Sequence, residues 1–197
     1  MKMKPSTASS NKDHQSSASG SAAGPDRSAD SSSAARRVAT AGLLASLALI
    51  FSYVEALVPF NAGVPGVKLG LANLVPLIVL YRLDARYAAA VNLIRVALAG
   101  LLFTGAFAAL YSLAGCIVSF LVMWICKRTS LFSIIGVSMA GGVFHNLGQL
   151  CVAMAAVSGL QLIHYMPVLI MSGIIAGIIV GIGAQILVDR IPAKLFR

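Results

Sequence analysis

Between Val38 and Val188 the chain is a succession of six apolar runs, several of them separated by short turns that carry Lys and Arg. About 20 apolar residues in a helix cover the ~30 Å hydrocarbon core of a bilayer at ~1.5 Å per residue. The runs predict helices over Val38–Phe60, Leu69–Tyr81, Tyr87–Phe103, Phe107–Cys126, Leu131–Val157 and Tyr165–Val188. The second is short and needs tilt, a thinned bilayer or half-depth entry to span. Composition excludes the soluble alternative. The chain is 58% hydrophobic and 11% charged, with mean hydropathy +0.89, whereas a soluble surface needs far more charge. The expected fold class is an all-α polytopic membrane protein, multi-pass in the cell membrane, with one membrane domain over 36–190.

The turns orient it. With the N-terminus inside, Arg36, Arg37, Arg82, Arg86, Lys127, Arg128, Arg190, Lys194 and Arg197 all fall on the cytoplasmic face, and the outer loops keep only Lys68 and His164. That asymmetry follows the positive-inside rule and predicts six spans with both ends inside. It also accounts for the net charge of +9. Basic residues placed singly or in pairs at the ends of apolar runs do not form a phosphate-tracking face, so nucleic acid is not an expected partner. Residues 1–35 hold almost no large apolar side chain and read as a disordered tail. They lack the apolar core and cleavage site of a signal peptide. Residues 191–197 read as a short basic tail.

The stretch Asn61–Pro76 organises the polar groups. Gly63, Pro65 and Gly66 exclude helix in its first half, and its second half enters an apolar run that carries Lys68 and Asn73. Such a loop between two spans can fold back over a site between helices. Glu55, Asn61, Lys68 and Asn73 gather at the outer mouth, while Asn92, Arg95, His145, Asn146 and Gln149 lie inside apolar runs. Asn92 and Arg95 nearly share a helix face, as do His145 and Gln149. The inner halves of the spans stay apolar, which describes a pocket open to the outside and not a through-pore.

Each of these residues has a structural reading beside the functional one. A mid-membrane Arg costs about 2.5–3.5 kcal/mol on insertion scales, so Arg95 should face the interior. There it locks the bundle through Glu55 or backbone carbonyls, or it contacts a ligand. His145 is a hydrogen-bonded packing histidine or a ligand group. A zinc site is not expected, because no second His or carboxylate lies one turn away. Cys116, Cys126 and Cys151 fit neither a zinc site nor a disulfide framework and read as packing residues. No catalytic set is expected. The chain has six acidic residues, three of them in the N-terminal tail, and no nucleotide-binding loop. Gly173, Gly177 and Gly181 form a close-packing ridge, and Ala41, Gly42 and Ala45 give the first span a small-residue face for an inner helix or for a partner.

Five stretches carry a resemblance: SYVEALVP at 52–59, GVPGVKLGLANLVPL at 63–77, LIRVALAGLLF at 93–103, YSLAGCIVSFLVM at 111–123 and FHNLGQL at 144–150. Together they resemble the Gx transporter family, long named heptaprenyl diphosphate synthase component I, over roughly residues 38–188. The resemblance implies a six-helix bundle similar to the substrate-binding components of energy-coupling factor vitamin transporters. It implies a capping role for the loop at 61–67, and a docking role for the Ala41/Ala45 face toward a transmembrane coupling subunit. The aspartate-rich DDxxD motifs of trans-prenyltransferases are absent from the sequence.

The expected function is therefore a membrane-embedded subunit, not an enzyme and without a cofactor, that binds a small anionic solute for uptake driven by separate ATPase subunits. Glu55, Asn61, Lys68, Asn73, Asn92, Arg95, His145, Asn146 and Gln149 would bind the solute. An alternative is a non-catalytic accessory subunit in polyprenyl diphosphate or quinone metabolism, or in a membrane redox assembly. A self-sufficient channel or carrier is a third reading, against which stands the lack of an evident inverted repeat.

Overall fold

A computed structural model describes residues 27–57, 70–157 and 160–192. Among the described residues there are six α-helices: α1 (Arg27–Leu57), α2 (Leu74–Arg82), α3 (Ala85–Ala99), α4 (Ala106–Thr129), α5 (Ile134–Val157) and α6 (Met166–Arg190). Short 3-10 turns, Leu71–Asn73 and Leu160–Tyr165, lead into α2 and α6. A π-helical turn, Gly100–Thr104, ends the α3 segment, and Gly105 at φ 82° passes the chain to α4 in a conformation that only glycine adopts at no cost.

Among the described residues, four segments are long and apolar enough to cross a membrane: Ala34–Leu57, Ala85–Thr104, Ala106–Thr129 and Gln161–Arg190. The α5 helix has 24 residues and not one Lys, Arg, Asp or Glu. Large apolar side chains such as Leu43, Ile50, Leu101, Leu121 and Ile175 are exposed, which a lipid surround accommodates and water does not. The chain is a membrane protein.

Two expectations need correction. The α1 helix starts at Arg27, so residues 27–35, expected to be disordered, are helical. Ser, Ala and Arg tolerate helix, and once a nucleus exists each added residue gains a backbone bond. The loop expected over Ser158–His164 is in large part the 3-10 turn that begins at Leu160.

The consecutive helices α4, α5 and α6 run in opposite directions. Cβ atoms added at Gly173, Gly177 and Gly181 would meet Val143, Met139 and Ile135 in turn, so α5 and α6 cross antiparallel with their backbones nearly touching. Gly115 and Gly148 bring α4 and α5 equally close. The glycine ridge is thus an internal contact, spent on the close crossings that drive association where lipid offers no hydrophobic effect.

At the centre lies α2. Val75, Pro76, Leu77, Ile78, Val79 and Leu80 are all buried, so this short helix faces protein and not lipid. Pro76 is tolerated because it occupies the first turn, where the backbone N–H has no helical partner. The far end of α2 is closed by Lys127, whose Nζ donates to the Leu80 carbonyl and lies 5.1 Å from the centre of the Tyr81 ring. A cation there satisfies an orphan carbonyl and complements the helix dipole. Arg82, Arg86, Lys127, Arg128 and Arg190 therefore lie at one end of the bundle, and the end of α1, Gly70 and the α3–α4 junction lie at the other.

Candidate functional site

The inward face of α1 is drawn by a single spacing. Ala41, Ala45, Ala48, Ser52 and Glu55 follow one another at intervals of four and three residues, so they line one side of the helix. Ala45 and Ala48 are buried in the core and Ala41 packs against it. Toward the end remote from the basic cluster the stripe becomes polar, and there Ser52 and Glu55 form one wall of a cavity of about 70 Å³. Asn73, Arg95, Thr104, Ser112, His145 and Asn146 complete its polar lining. Segments from α1, the turn into α2, α3, the π-turn, α4, α5 and α6 all contribute to its lining, so the site exists only in the assembled bundle.

Arg95 is the most buried ionisable group of the cavity, 7% exposed. Its Nη2 donates to Asn92 Oδ1 at 2.7 Å and to Asn73 Oδ1 at 3.3 Å, and its Nη1 donates to Ser52 Oγ at 3.4 Å. The buried Nε has no hydrogen-bond partner among the described residues. All three acceptors are neutral. Removing an ion from water costs several kcal/mol unless a counter-charge or a full set of bonds compensates it. The expected lock between Arg95 and Glu55 is not formed: no ion pair joins them within 4 Å. Glu55 instead accepts the backbone N–H of Gly70, which holds φ 74° at the start of the turn into α2.

Asn146 is buried, and both hydrogen bonds recorded for it use its amide NH₂, to Leu169 O at 2.8 Å and to Ser172 Oγ at 3.1 Å on α6. That assignment leaves its carbonyl oxygen as an acceptor at the cavity wall. Thr104, in the π-turn, donates to Ala99 O at 3.1 Å and brings its side chain to the same wall. A π-turn of this kind often sits at a functional site, because the extra residue re-aims side chains.

The structure thus gathers Glu55, Asn73, Arg95, His145 and Asn146 around one cavity. Two other expected residues lie elsewhere. Asn92 is buried and supports Arg95 without lining the cavity. Gln149 packs beside Gly115 at the α4–α5 crossing. Asn61 and Lys68, with the loop at 61–67, lie outside the described residues. Ser52, Thr104 and Ser112 were not expected. Ser52 was legible as the member of the α1 stripe one turn before Glu55, whereas nothing local marks Thr104 or Ser112. The small-residue face of α1 is divided. Ala41 and Ala45 turn inward and serve the core, so they are not an exposed docking pair, while Gly42 is exposed with nothing within 4 Å of an added Cβ.

No group of three or more metal-ligating side chains occurs among the described residues. Cys116 is buried and Cys151 exposed, and both are free thiols. The family described as heptaprenyl diphosphate synthase component I matches residues 44–187, nearly all of the helical part. No curated protein and no solved structure matches the chain.

Proposed function

The chain belongs to the heptaprenyl diphosphate synthase component I family, and from that premise we propose that it is a membrane-embedded, non-catalytic subunit that binds a small solute bearing an anionic group and serves its uptake. One observation carries this reading: the Arg95 guanidinium, buried and hydrogen-bonded to the neutral acceptors Ser52, Asn73 and Asn92, forms part of the wall of a cavity. A guanidinium in that state is a ready partner for a carboxylate or phosphate oxygen. The basic end of the bundle lies opposite the cavity, so the positive-inside rule turns the cavity outward. Six spans with both ends inside follow, with α2 as a short span sheltered by its neighbours.

A bound solute leaves inward only if the bundle tilts or a gate opens. The chain carries no nucleotide-binding loop, so the work comes from a separate energy-coupling subunit and its ATPases. The outward Gly42 side of α1 is the place where that subunit would approach. The family's name favours a second reading, a non-catalytic partner of a prenyl diphosphate synthase, in which Arg95 would meet the diphosphate. Mass spectrometry of small molecules released from gently purified protein separates the two. A water-soluble solute supports the uptake subunit, and a prenyl diphosphate overturns it.

A further inference from the structure

The cavity wall carries two opposite charges that do not neutralise each other by contact. Arg95 is tied to Ser52, Asn73 and Asn92, and Glu55 is tied to the Gly70 N–H, so separate anchors hold the two groups. Each keeps capacity for a further bond. Arg95 lines the cavity, and its Nη1 carries one N–H beyond the bond to Ser52. Glu55 has a second carboxylate oxygen, and the Asn146 carbonyl oxygen adds another acceptor on the same cavity. Arg95 and Glu55 thus place opposite formal charges on the described lining of one cavity.

A simple anion fits this wall poorly. It would satisfy Arg95 but would bring a second negative charge into a low-dielectric space beside Glu55, and like charges at such range are costly. A simple cation has the converse fault at Arg95. A solute of zero net charge with separated ends meets both groups at once, its carboxylate on Arg95 and its N–H donors on Glu55 and Asn146. The volume sets the size. A cavity of about 70 Å³ compares with the roughly 10–15 Å³ a single water requires, so it admits a molecule of few heavy atoms, or the head of a longer one.

Resting on the solute-binding reading above, we infer that the cavity selects a small zwitterion, an amino-acid-like molecule whose carboxylate is read by Arg95 and whose ammonium is read by Glu55 and Asn146.

The test titrates full-length protein in detergent with three matched series: glycine, 3-aminopropionate and 4-aminobutyrate; acetate, propionate and butyrate; and methylamine, ethylamine and propylamine. Binding is followed by calorimetry and by thermal shift. At least one amino acid should bind tenfold or more tighter than the carboxylate and the amine of matching length. Glu55→Gln keeps an acceptor for Gly70 N–H, and it should erase that preference while leaving carboxylate binding in place. Equal affinity for the amino acids and the plain carboxylates, or a preference unchanged in Glu55→Gln, overturns the zwitterion and leaves the anion site standing. If the variant does not fold, the wild-type comparison decides alone. If no series binds, both the zwitterion and the anion site are overturned.

Discussion

Arg95 Nη2 donates to Asn92 Oδ1 at 2.7 Å, across one turn of α3, and this is the shortest of the three bonds that hold the guanidinium. Both residues are buried. The pair belongs to a single helix, so this bond orients Arg95 from within α3 itself. Asn92 is a positioning residue: it touches the binding group and stands outside the cavity.

Asn92→Leu should therefore weaken binding without changing what is bound. A hydrogen bond to a charged group contributes about 1.5–3 kcal/mol, or roughly 10- to 100-fold in affinity. Calorimetry with the tightest of the amino acids above should show that loss with the order of preference intact. Arg95→Met, by contrast, should abolish binding of every carboxylate while folded protein is still recovered. Normal binding by Arg95→Met would make the residue purely structural.

Gly177→Ala tests the α5–α6 crossing. Its Cβ would lie 2.5 Å from Met139 Cα and 2.8 Å from Ser138 O, both on a neighbouring helix that cannot yield locally. Overpacking of this kind costs about 1–3 kcal/mol, so the melting temperature in detergent should fall clearly. Gly42→Ala, with open space around its Cβ, should leave that temperature unchanged or slightly raised.

The divided face of α1 separates folding from partner docking. Ala45→Trp should reduce the yield of folded protein, because a side chain 8% exposed in the core has no room to grow. Gly42→Trp should fold and bind normally, yet stop accumulation in cells that supply an energy-coupling subunit and its ATPases. Full transport by Gly42→Trp would place the docking surface elsewhere.

Topology is checked by labelling. In a background lacking Cys116, Cys126 and Cys151, a cysteine at Gly63 should react with an impermeant thiol reagent added outside. A reporter fused after Arg197 should be cytoplasmic. Labelling of Gly63 from the cytoplasmic side alone would reverse the orientation.

The apolar runs determined the helices, because a membrane leaves the backbone almost no other way to satisfy its hydrogen bonds. The structure moved some ends: α1 begins at Arg27, and a 3-10 turn occupies Leu160–Tyr165. The same runs marked the costly residues, and Glu55, Asn73, Arg95, His145 and Asn146 do meet at one cavity. What the sequence could not determine is which way each helix faces. In water, hydrophobicity separates core from surface, but in lipid both sides are apolar and the contrast is lost. Ala41 and Ala45 therefore read equally well as a docking face or as core, and only packing assigned them to the core. For the same reason the burial of α2 on all sides was not legible in its composition. Neither was the division of labour among the polar residues, with Asn92 behind Arg95, Gln149 at a helix crossing, and Glu55 bonded to Gly70 instead of Arg95. Those choices depend on distances between segments far apart in the chain, and the tertiary structure alone sets them.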